Sequence, residues 1–421
     1  MKIKRALNSY NKILKLPFFK GLTILSLILF FLKNLLSEIS ASSYLSNKWT
    51  IGEWLINYEG GFVRRGLPGQ IIYFISSQLN ISPIIIVKLI SIISIIGFIL
   101  IITFFVFRLI PLTFILSPFL LNLPEILRKD FFILFLYGLN LLFIYWYLKG
   151  KFISKLDLFI FINTVSTIAI LSHEKYIFFA LPSIFIFLNN LVLKKKNNLS
   201  SYNSLIKTLF FLLPSIICLI SVLTHRGDLS TSNSINNSWV IIKNLIGDSN
   251  TWIKSEIDLM SPIGSLSWDI SKAIEVRNTK LDYFYIWPLF YLIGISCFII
   301  GAEKETLELR IQIIILQILC ISPLFYVSCD YGRLLFYLLS SSCLIYGFMM
   351  KLRINKLFNL NLQNILKINF LKIFHFNSYF SLIYLFIFIP TCCLNLNNIL
   401  SKRTPFFMIY GYLKVLISKF V

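Results

Sequence analysis

The chain has 421 residues, of which 57% are hydrophobic and only 14% are charged, and its mean hydropathy is +0.79. Soluble domains carry about a quarter charged residues, so this composition excludes a soluble globular protein and favours a chain embedded in lipid. The formal net charge is +22. Most lysines, however, lie in short segments between apolar runs, as in the cytoplasmic loops of membrane proteins. We therefore expect a lipid bilayer, and no nucleic acid, as the partner of this basic chain.

The N-terminal segment sets the direction of the chain. Residues 1–20 carry six basic side chains and no acidic one, and the apolar run that follows extends to about residue 36. This run is too long for the apolar core of a cleaved signal peptide. It predicts a first membrane span that begins on the cytoplasmic side of the inner (cytoplasmic) membrane.

Alternation from that span gives an all-α, polytopic transmembrane bundle of about 11 spans (10–12), treated as one integral membrane domain over residues 1–421. Residues 38–70 form a first external (periplasmic) loop, residues 70–80 a short interfacial helix, and residues 224–282 a large external loop. The predicted spans lie near residues 21–37, 83–107, 109–122, 131–148, 156–172, 176–192, 205–223, 283–300, 311–327, 334–350 and 377–395.

Arginine does not follow the distribution of lysine. Of the eleven arginines, seven fall on the predicted external side, against the usual orientation rule. The planar guanidinium group binds phosphate oxygens in a bidentate way, so we expect a phosphate-bearing ligand at the outer leaflet. The seven are Arg64, Arg65, Arg128, Arg226, Arg277, Arg333 and Arg403.

The first external loop contains four glycines around Arg64 and Arg65, with Glu53 and Glu59 nearby. Glycines permit tight turns and close backbone approach, so the arginine pair predicts a preformed anion site. The alternative is a turn whose arginines contact lipid headgroups. Further along the chain, Arg128 follows Glu125 at helical spacing, which is equally typical of a solvated helix end.

Two further motifs carry acidic groups at predicted membrane boundaries. His173 and Glu174 lie between two apolar spans, where they fit a general base pair or simply a cap between helices. Asp330 and Arg333 are three residues apart at the end of another span, and they form either a structural ion pair or part of an anion site. The tryptophans of the large external loop, among them Trp239, weakly suggest a sugar-binding surface.

The loop Tyr-Glu-Gly-Gly-Phe-Val-Arg-Arg-Gly-Leu at residues 58–67, the external His-Glu pair and the late Asp-x-Gly-Arg motif resemble polytopic proteins of bacterial surface-polysaccharide assembly. The overall plan is similar to that of the O-antigen polymerases. This resemblance implies glycosyl transfer at the periplasmic face of the bacterial inner membrane. Donor and acceptor would be polyprenyl-diphosphate-linked glycans, with a chain-length regulator and a flippase as possible partners.

The resemblance also assigns roles by position. Arginines hold the diphosphate of the leaving lipid, and a carboxylate with its neighbouring imidazole takes the proton of the attacking hydroxyl. The diphosphate ligands are Arg64, Arg65, Arg333 and Arg128; the base is Glu174 with His173, and Asp330 is held in reserve; Glu59 and Arg226 are secondary candidates. Arginine can replace a cation, so no metal is expected, although Glu59 and Asp330 offer a chelating alternative.

Two other functions remain open from the sequence. A glycosyltransferase that uses polyprenyl-phosphate sugars would take its base from the first external loop, at Glu53 or Glu59. A flippase for lipid-linked sugars would need a basic cavity that reaches both faces of the membrane. The only charges within the apolar runs, Lys33 and Lys88, lie near the ends of those runs, which disfavours the flippase.

Overall fold

The structure, a computed structural model, describes residues 48–106, 127–151, 153–196, 201–246, 253, 256–280, 287–299 and 304–358. All the regular secondary structure of these residues is helical, and no strand occurs among them. The chain divides into two compact units. The first unit comprises residues 38–105 and 125–273, and the second comprises residues 1–37, 106–124 and 274–421.

The first unit contains most of the described helices. In chain order they are α1 (Lys48–Gly52), α2 (Gly66–Leu79), α3 (Pro83–Val106), α4 (Asp130–Leu148), α5 (Lys155–Ser172), α6 (Tyr176–Phe179), α7 (Leu181–Phe187), α8 (Ser201–Phe211), α9 (Leu213–Thr224) and α10 (Leu229–Ile246). Short 3-10 turns span Glu53–Leu55 and Gly264–Ser267, and α7 continues as a π-helix over Leu188–Lys196.

The second unit is built around one long helix. Helix α11 (Ile270–Lys280) passes into it from the first unit, followed by α12 (Trp287–Ile299), α13 (Lys304–Ile321), α14 (Leu324–Val327) and α15 (Tyr331–Lys351). Arg310 on α13 is buried against α15, where its guanidinium lies 4.4 Å from the ring centre of Tyr346. Gln317 on α13 accepts a 2.7 Å hydrogen bond from Ser341 on α15, so polar contacts as well as apolar ones join these helices.

Five described helical segments are long and apolar enough to cross a membrane, and each matches a predicted span within a few residues. They are Pro83–Val106, Asp130–Leu148, Lys155–Ser172, Tyr176–Leu193 and Tyr331–Lys351. This is compatible with a multi-pass membrane protein. The predicted count of about 11 spans is not confirmed, and the predicted spans near 21–37, 109–122 and 377–395 lie outside the described residues.

The predicted span at 205–223 is broken in two. Tyr202–Phe211 and Leu213–Thr224 meet at 60°, and they give a sixth span only if the bent pair counts as one. Pro214 lies at the start of the second helix, where proline is well tolerated but cannot donate to the preceding turn. The break therefore follows from the sequence at that point.

The directions of helices α3 and α4 agree with the predicted alternation. The Phe98 ring lies 5.8 Å from the Phe131 ring, and further along both helices Phe105 lies 6.1 Å from Tyr145. Helices α3 and α4 therefore run parallel. The start of α3 lies at the same end of the first unit as the start of α4.

Helix α5 runs antiparallel to α4. Asn140 donates a 3.0 Å hydrogen bond to Ser166, and the ring of Phe143 stacks on that of Phe161 at 3.8 Å. A capping box between Ser154 and the Asp157 carboxylate begins α5. The end of α5 consequently lies beside the start of α4, at the end of the unit where the first predicted external loop also packs.

The first predicted external loop is held in place by a close backbone contact and by indole hydrogen bonds. Gly69 on α2 lies so close to the Ile56 carbonyl that a Cβ there would stand 1.9 Å from its oxygen. The indole N–H groups of Trp54 and Trp239 donate to the Leu127 and Leu55 carbonyls at 2.5 and 2.6 Å. The loop is therefore an ordered layer over the helix ends, as its glycines predict.

The segments predicted as an interfacial helix and as a large external loop both contain helices. Residues 70–80, predicted as an interfacial helix, fall largely within α2, whose Ile71, Phe74 and Leu79 side chains are exposed. The predicted large loop at 224–282 holds α10, a 3-10 turn and α11. Trp239 on α10 is fully buried, so its suggested place on a sugar-binding surface is wrong: its indole fills the core beneath the first loop.

Candidate functional site

The best-defined charged contact of the first unit joins the first loop to the end of helix α5. Arg65 donates from Nε to Glu174 Oε2 at 2.7 Å, and its Nη2 also contacts Glu174 Oε1. The two side chains are only 16% and 17% exposed. A bidentate pair with this little exposure is among the stronger charge contacts in a protein.

The backbone presents Arg65 in an unusual way. Its φ is +65°, in the left-handed region, and it immediately precedes the first residue of α2. For a residue other than glycine, this sparsely populated backbone conformation costs about 1–3 kcal/mol of strain energy, and such residues cluster at functional sites. In this conformation the guanidinium reaches Glu174, two residues after the end of α5.

A buried lysine holds this backbone in place. Lys129, which is fully buried, donates from Nζ to the Arg65 carbonyl at 3.1 Å and to the Ser172 carbonyl at 3.3 Å. Its ammonium also lies 5.7 Å from the Trp54 ring centre. Lys129 thus ties the first loop, the start of α4 and the end of α5 together.

His173 lies beneath the Arg65–Glu174 pair. Its Nδ1 lies 3.3 Å from Glu174 Oε2 and also 3.3 Å from the Lys175 amide nitrogen. Its Nε2 is buried and has no hydrogen-bond partner within the described residues. Burial, reinforced by the positive charge of Arg65, lowers the pKa of His173 to about 4, so the imidazole is neutral at pH 7.

Glu174 is held in its ionised form. Burial alone would raise the pKa of its carboxyl group, but Arg65 and His173 together hold that pKa well below its ordinary value. In this state Glu174 is a weak base, because a strongly depressed pKa leaves little driving force for accepting a proton.

Arg64 forms the second cationic centre of the site. Its backbone amide donates to the His225 carbonyl at 3.1 Å, and its Nη2 makes a long, 3.4 Å contact with the Ser265 carbonyl. Its Nε is buried and lacks a partner in the described part of the chain. Burial, together with the charges of Arg65 and Arg226, lowers the pKa of Arg64. Positive charge is therefore concentrated at this end of the unit.

The remaining candidates of this unit differ in exposure. Glu59 is exposed and accepts a 3.1 Å hydrogen bond from Gln70. Arg226 is exposed and Arg128 is half-buried. Glu53 is only 2% exposed, and it is near enough to Lys129 to oppose the effect of burial on the pKa of that lysine. The two acids of the first loop therefore differ in burial, although the sequence offers both equally as a catalytic base.

Asp330 and Arg333 belong to the second unit. Arg333 donates to Asp330 Oδ2 at 2.8 Å, and the two side chains are 2% and 18% exposed. The ion pair expected from their spacing is present. In the same unit Arg277 donates to the Tyr326 carbonyl at 2.8 Å.

The described residues contain no candidate metal site. Across residues 48–358, apart from the gaps given above, no three His, Cys, Asp or Glu side chains cluster closely enough to hold an ion. Candidate Arg403 lies outside the described residues, as does Glu125 beside Arg128.

Sequence reasoning missed the role of Lys129. Its position in a charged run before an apolar span made it look like part of a solvated helix end, but it is fully buried and bonded to two carbonyls. The available signal was the Lys129–Asp130 pair placed directly against a span: charges that cannot reach water at a membrane boundary must find partners inside the protein.

The burial of Lys129 predicts a pH dependence of stability. Burial lowers its pKa from 10.5 to about 7, so between these values the folded state binds fewer protons than the unfolded state. Stability should therefore rise with pH over this range. Between pH 7 and 9 we expect the free energy of unfolding of the wild type to rise by about 2 kcal/mol relative to Lys129→Met. Denaturant titration in detergent micelles measures this difference.

The matched control for that titration is Lys272→Met, which changes an exposed lysine of α11. This control should follow the wild type across the same pH range. Identical pH profiles for the wild type and Lys129→Met would show that Lys129 keeps an ordinary pKa.

No protein-family model, characterised protein or solved structure matches the chain.

Proposed function

We propose that this chain is a membrane glycosyltransferase that polymerises polyprenyl-diphosphate-linked oligosaccharide repeat units at the periplasmic face of the bacterial inner membrane. The observation that carries the proposal is the buried Arg65–Glu174–His173 constellation at one end of the first unit, with the partly unsatisfied Arg64 guanidinium beside it. The membrane setting suits lipid-linked substrates, whose tails remain in the bilayer while their charged groups reach the helix ends.

The surplus of positive charge supports a diphosphate ligand. The charges of Arg65 and Arg226 both act on Arg64, and Glu174 supplies the negative charge that pairs with Arg65. The partly buried guanidinium groups of Arg64 and Arg65 repel each other more strongly than they would in water. An anion with several oxygens would relieve the repulsion and satisfy the buried Nε of Arg64.

Ligand binding would also change the base. A diphosphate that draws Arg65 towards its own oxygens weakens the Arg65–Glu174 pair. It also places negative charge beside the carboxylate, and both effects raise the pKa of Glu174. The carboxylate then becomes a stronger base when donor substrate is present. Substrate binding thus makes Glu174 a stronger base, whereas Glu174 remains a weak base in the empty site.

The transfer step forms one bond at the anomeric carbon and breaks another. A hydroxyl oxygen of the acceptor sugar forms a bond to the anomeric carbon of the donor glycan as the bond from that carbon to the diphosphate oxygen breaks. Glu174 takes the hydroxyl proton. The electron pair of the broken bond remains on the diphosphate, whose charge Arg64 and Arg65 stabilise. The His173 imidazole packs against the carboxylate, with Nδ1 3.3 Å from Glu174 Oε2.

Other assignments follow from this scheme as part of the same proposal. Arg128 remains a proposed ligand of the diphosphate. Arg333 and Asp330, which belong to the second unit, keep their sequence-based roles as a diphosphate ligand and as the reserve candidate for the base. A chain-length regulator and a flippase are the protein partners that such a polymerase would need.

A second candidate function is favoured by the burial of Glu53. A glycosyltransferase that uses a polyprenyl-phosphate sugar would place a catalytic acid in the first external loop, and Glu53 is the buried acid of that loop whereas Glu59 is exposed. Glu53→Gln would abolish transfer by such an enzyme. The polymerase proposed above should retain transfer in that variant.

Deletion of the gene in its own host tests the proposed function. Surface glycan should then consist of single repeat units on lipid A, without the ladder of longer chains, and a plasmid copy of the gene should restore the ladder. Analysis by gel electrophoresis with mass spectrometry of the lipid-linked precursors measures both. An unchanged ladder would refute the polymerase, and complete loss of glycan with an incomplete precursor would favour the alternative transferase.

A further inference from the structure

An aromatic surface lies next to the charged site and takes no part in the scheme above. The rings of Tyr58 and Phe62 stack with centres 5.4 Å apart at an angle of 24°. The Phe62 ring also meets the His225 ring edge-on at 5.3 Å. We call these three residues the aromatic ledge.

The first loop holds Phe62 towards the surface. Phe62 is 42% exposed, whereas the next residue, Val63, is fully buried in the core beneath the loop. Gly61 adopts a φ of +105° and donates its amide to the Tyr58 carbonyl at 2.9 Å, which closes a tight turn just before Phe62. An ordered turn that directs a large aromatic side chain outward is typical of a recognition surface.

The ledge is fixed relative to the arginines. The backbone hydrogen bond from Arg64 to the His225 carbonyl joins the loop that carries Phe62 to the segment that carries His225. Arg64 follows Phe62 by two residues, and Arg226 follows His225 directly. The His225 ring is itself held by a 2.9 Å contact of Nδ1 with the Ser221 carbonyl.

The ledge also contains a polar atom without a partner. The Tyr58 hydroxyl is buried and makes no hydrogen bond within the described residues. Its ring lies against Gly66, where a Cβ would stand 2.2 Å from the nearest ring carbon. A buried hydroxyl group lacking a partner costs about 1–3 kcal/mol, so a ligand hydroxyl that reaches it would improve binding.

We propose that the aromatic ledge binds the pyranose ring of the sugar attached directly to the diphosphate. The C–H face of the sugar would stack on Phe62, and the adjoining phosphate would lie at Arg64 and Arg226. This inference rests on the proposed function, since the sugar and the diphosphate of the same substrate would bind to the aromatic ledge and to the neighbouring arginines. Aromatic faces suit the C–H side of a pyranose, and such contacts are tolerant of sugar type.

The test compares two lipids, one with and one without a sugar on the diphosphate. The purified chain in nanodiscs is titrated with undecaprenyl diphosphate and with undecaprenyl-diphosphate-linked N-acetylglucosamine. Phe62→Leu should bind the sugar-bearing lipid about fivefold more weakly than wild type and should bind the plain lipid equally well. Phe62→Trp should retain binding of both, because it keeps an aromatic face.

The matched control is Phe74→Leu, which changes an exposed phenylalanine of α2 outside the ledge and should bind both lipids like the wild type. Equal binding of the sugar-bearing lipid by Phe62→Leu and wild type would overturn the inference. An equal loss of both lipids would also overturn it and would mark Phe62 as a membrane anchor. If the wild type binds neither lipid, both the proposed diphosphate site and the sugar site on the aromatic ledge are refuted. If the wild type binds the plain lipid and the sugar does not change its affinity, only the sugar site is refuted.

Discussion

Replacing Arg65 by methionine is expected to lower the free energy of unfolding by about 3 kcal/mol, near the lower end of the range for a broken buried ion pair. The loss arises because the Glu174 carboxylate, only 17% exposed, is left without its cation. Adding Glu174→Gln should restore about half of that loss, since the unpaired charge is then removed. Denaturant titrations of the wild type, both single variants and the double variant measure the coupling as a double-mutant cycle.

Arg226→Met serves as the control for this cycle, because it removes an exposed arginine from the same end of the unit. Surface substitutions of this kind usually change stability by less than about 0.5 kcal/mol. Strict additivity of the Arg65 and Glu174 substitutions would show that the pair contributes no coupling energy, and the structural basis of the candidate site would then be lost.

Glu174→Gln is expected to reduce repeat-unit transfer by at least about 100-fold, the usual contribution of a positioned general base. The substitution keeps the size of the side chain and can still accept a hydrogen bond from Arg65, but it removes the negative charge that would take the proton. Transfer is measured with purified protein and lipid-linked repeat units, by the length distribution of the glycan products.

The Arg65→Met/Glu174→Gln double variant separates catalysis from folding. It should be more stable than Arg65→Met and yet remain inactive, which a purely structural role for the pair would not produce. Glu275→Gln, on an exposed position of α11, should retain full transfer. Wild-type product lengths from Glu174→Gln would exclude Glu174 as the base and leave Asp330 as the reserve candidate.

The sequence predicts that the principal charged groups of the site share one side of the membrane. Alternation of spans alone assigns Arg64, Arg65, His173 and Glu174 to the same side, and the packing of α3, α4 and α5 brings these four residues to one end of the first unit. The boundaries of Pro83–Val106, Asp130–Leu148, Lys155–Ser172 and Tyr176–Leu193 are also predictable, because long uninterrupted apolar runs have few alternative limits.

The contacts within the site were not predictable. Arg65 and Glu174 are 109 residues apart, and side assignment gives no distance between two loops that share a side. The burial of Lys129 was hidden as well, because composition cannot distinguish a lysine that reaches water from one that bonds two carbonyls. The number of spans was uncertain for another reason: hydropathy does not reveal a break such as the 60° bend after Phe211.

The pairing of Arg65 with Glu174 has a consequence for biogenesis. At about 5–20 residues per second, the ribosome reaches Glu174 roughly 5–20 s after it has made Arg65, given their separation of 109 residues. During this interval Lys129, α4 and α5 are still being synthesised, so the first loop lacks the groups that later fix it. The Arg65–Glu174 pair can consequently form only once the end of α5 has been made, when it meets a loop that was translated 109 residues earlier.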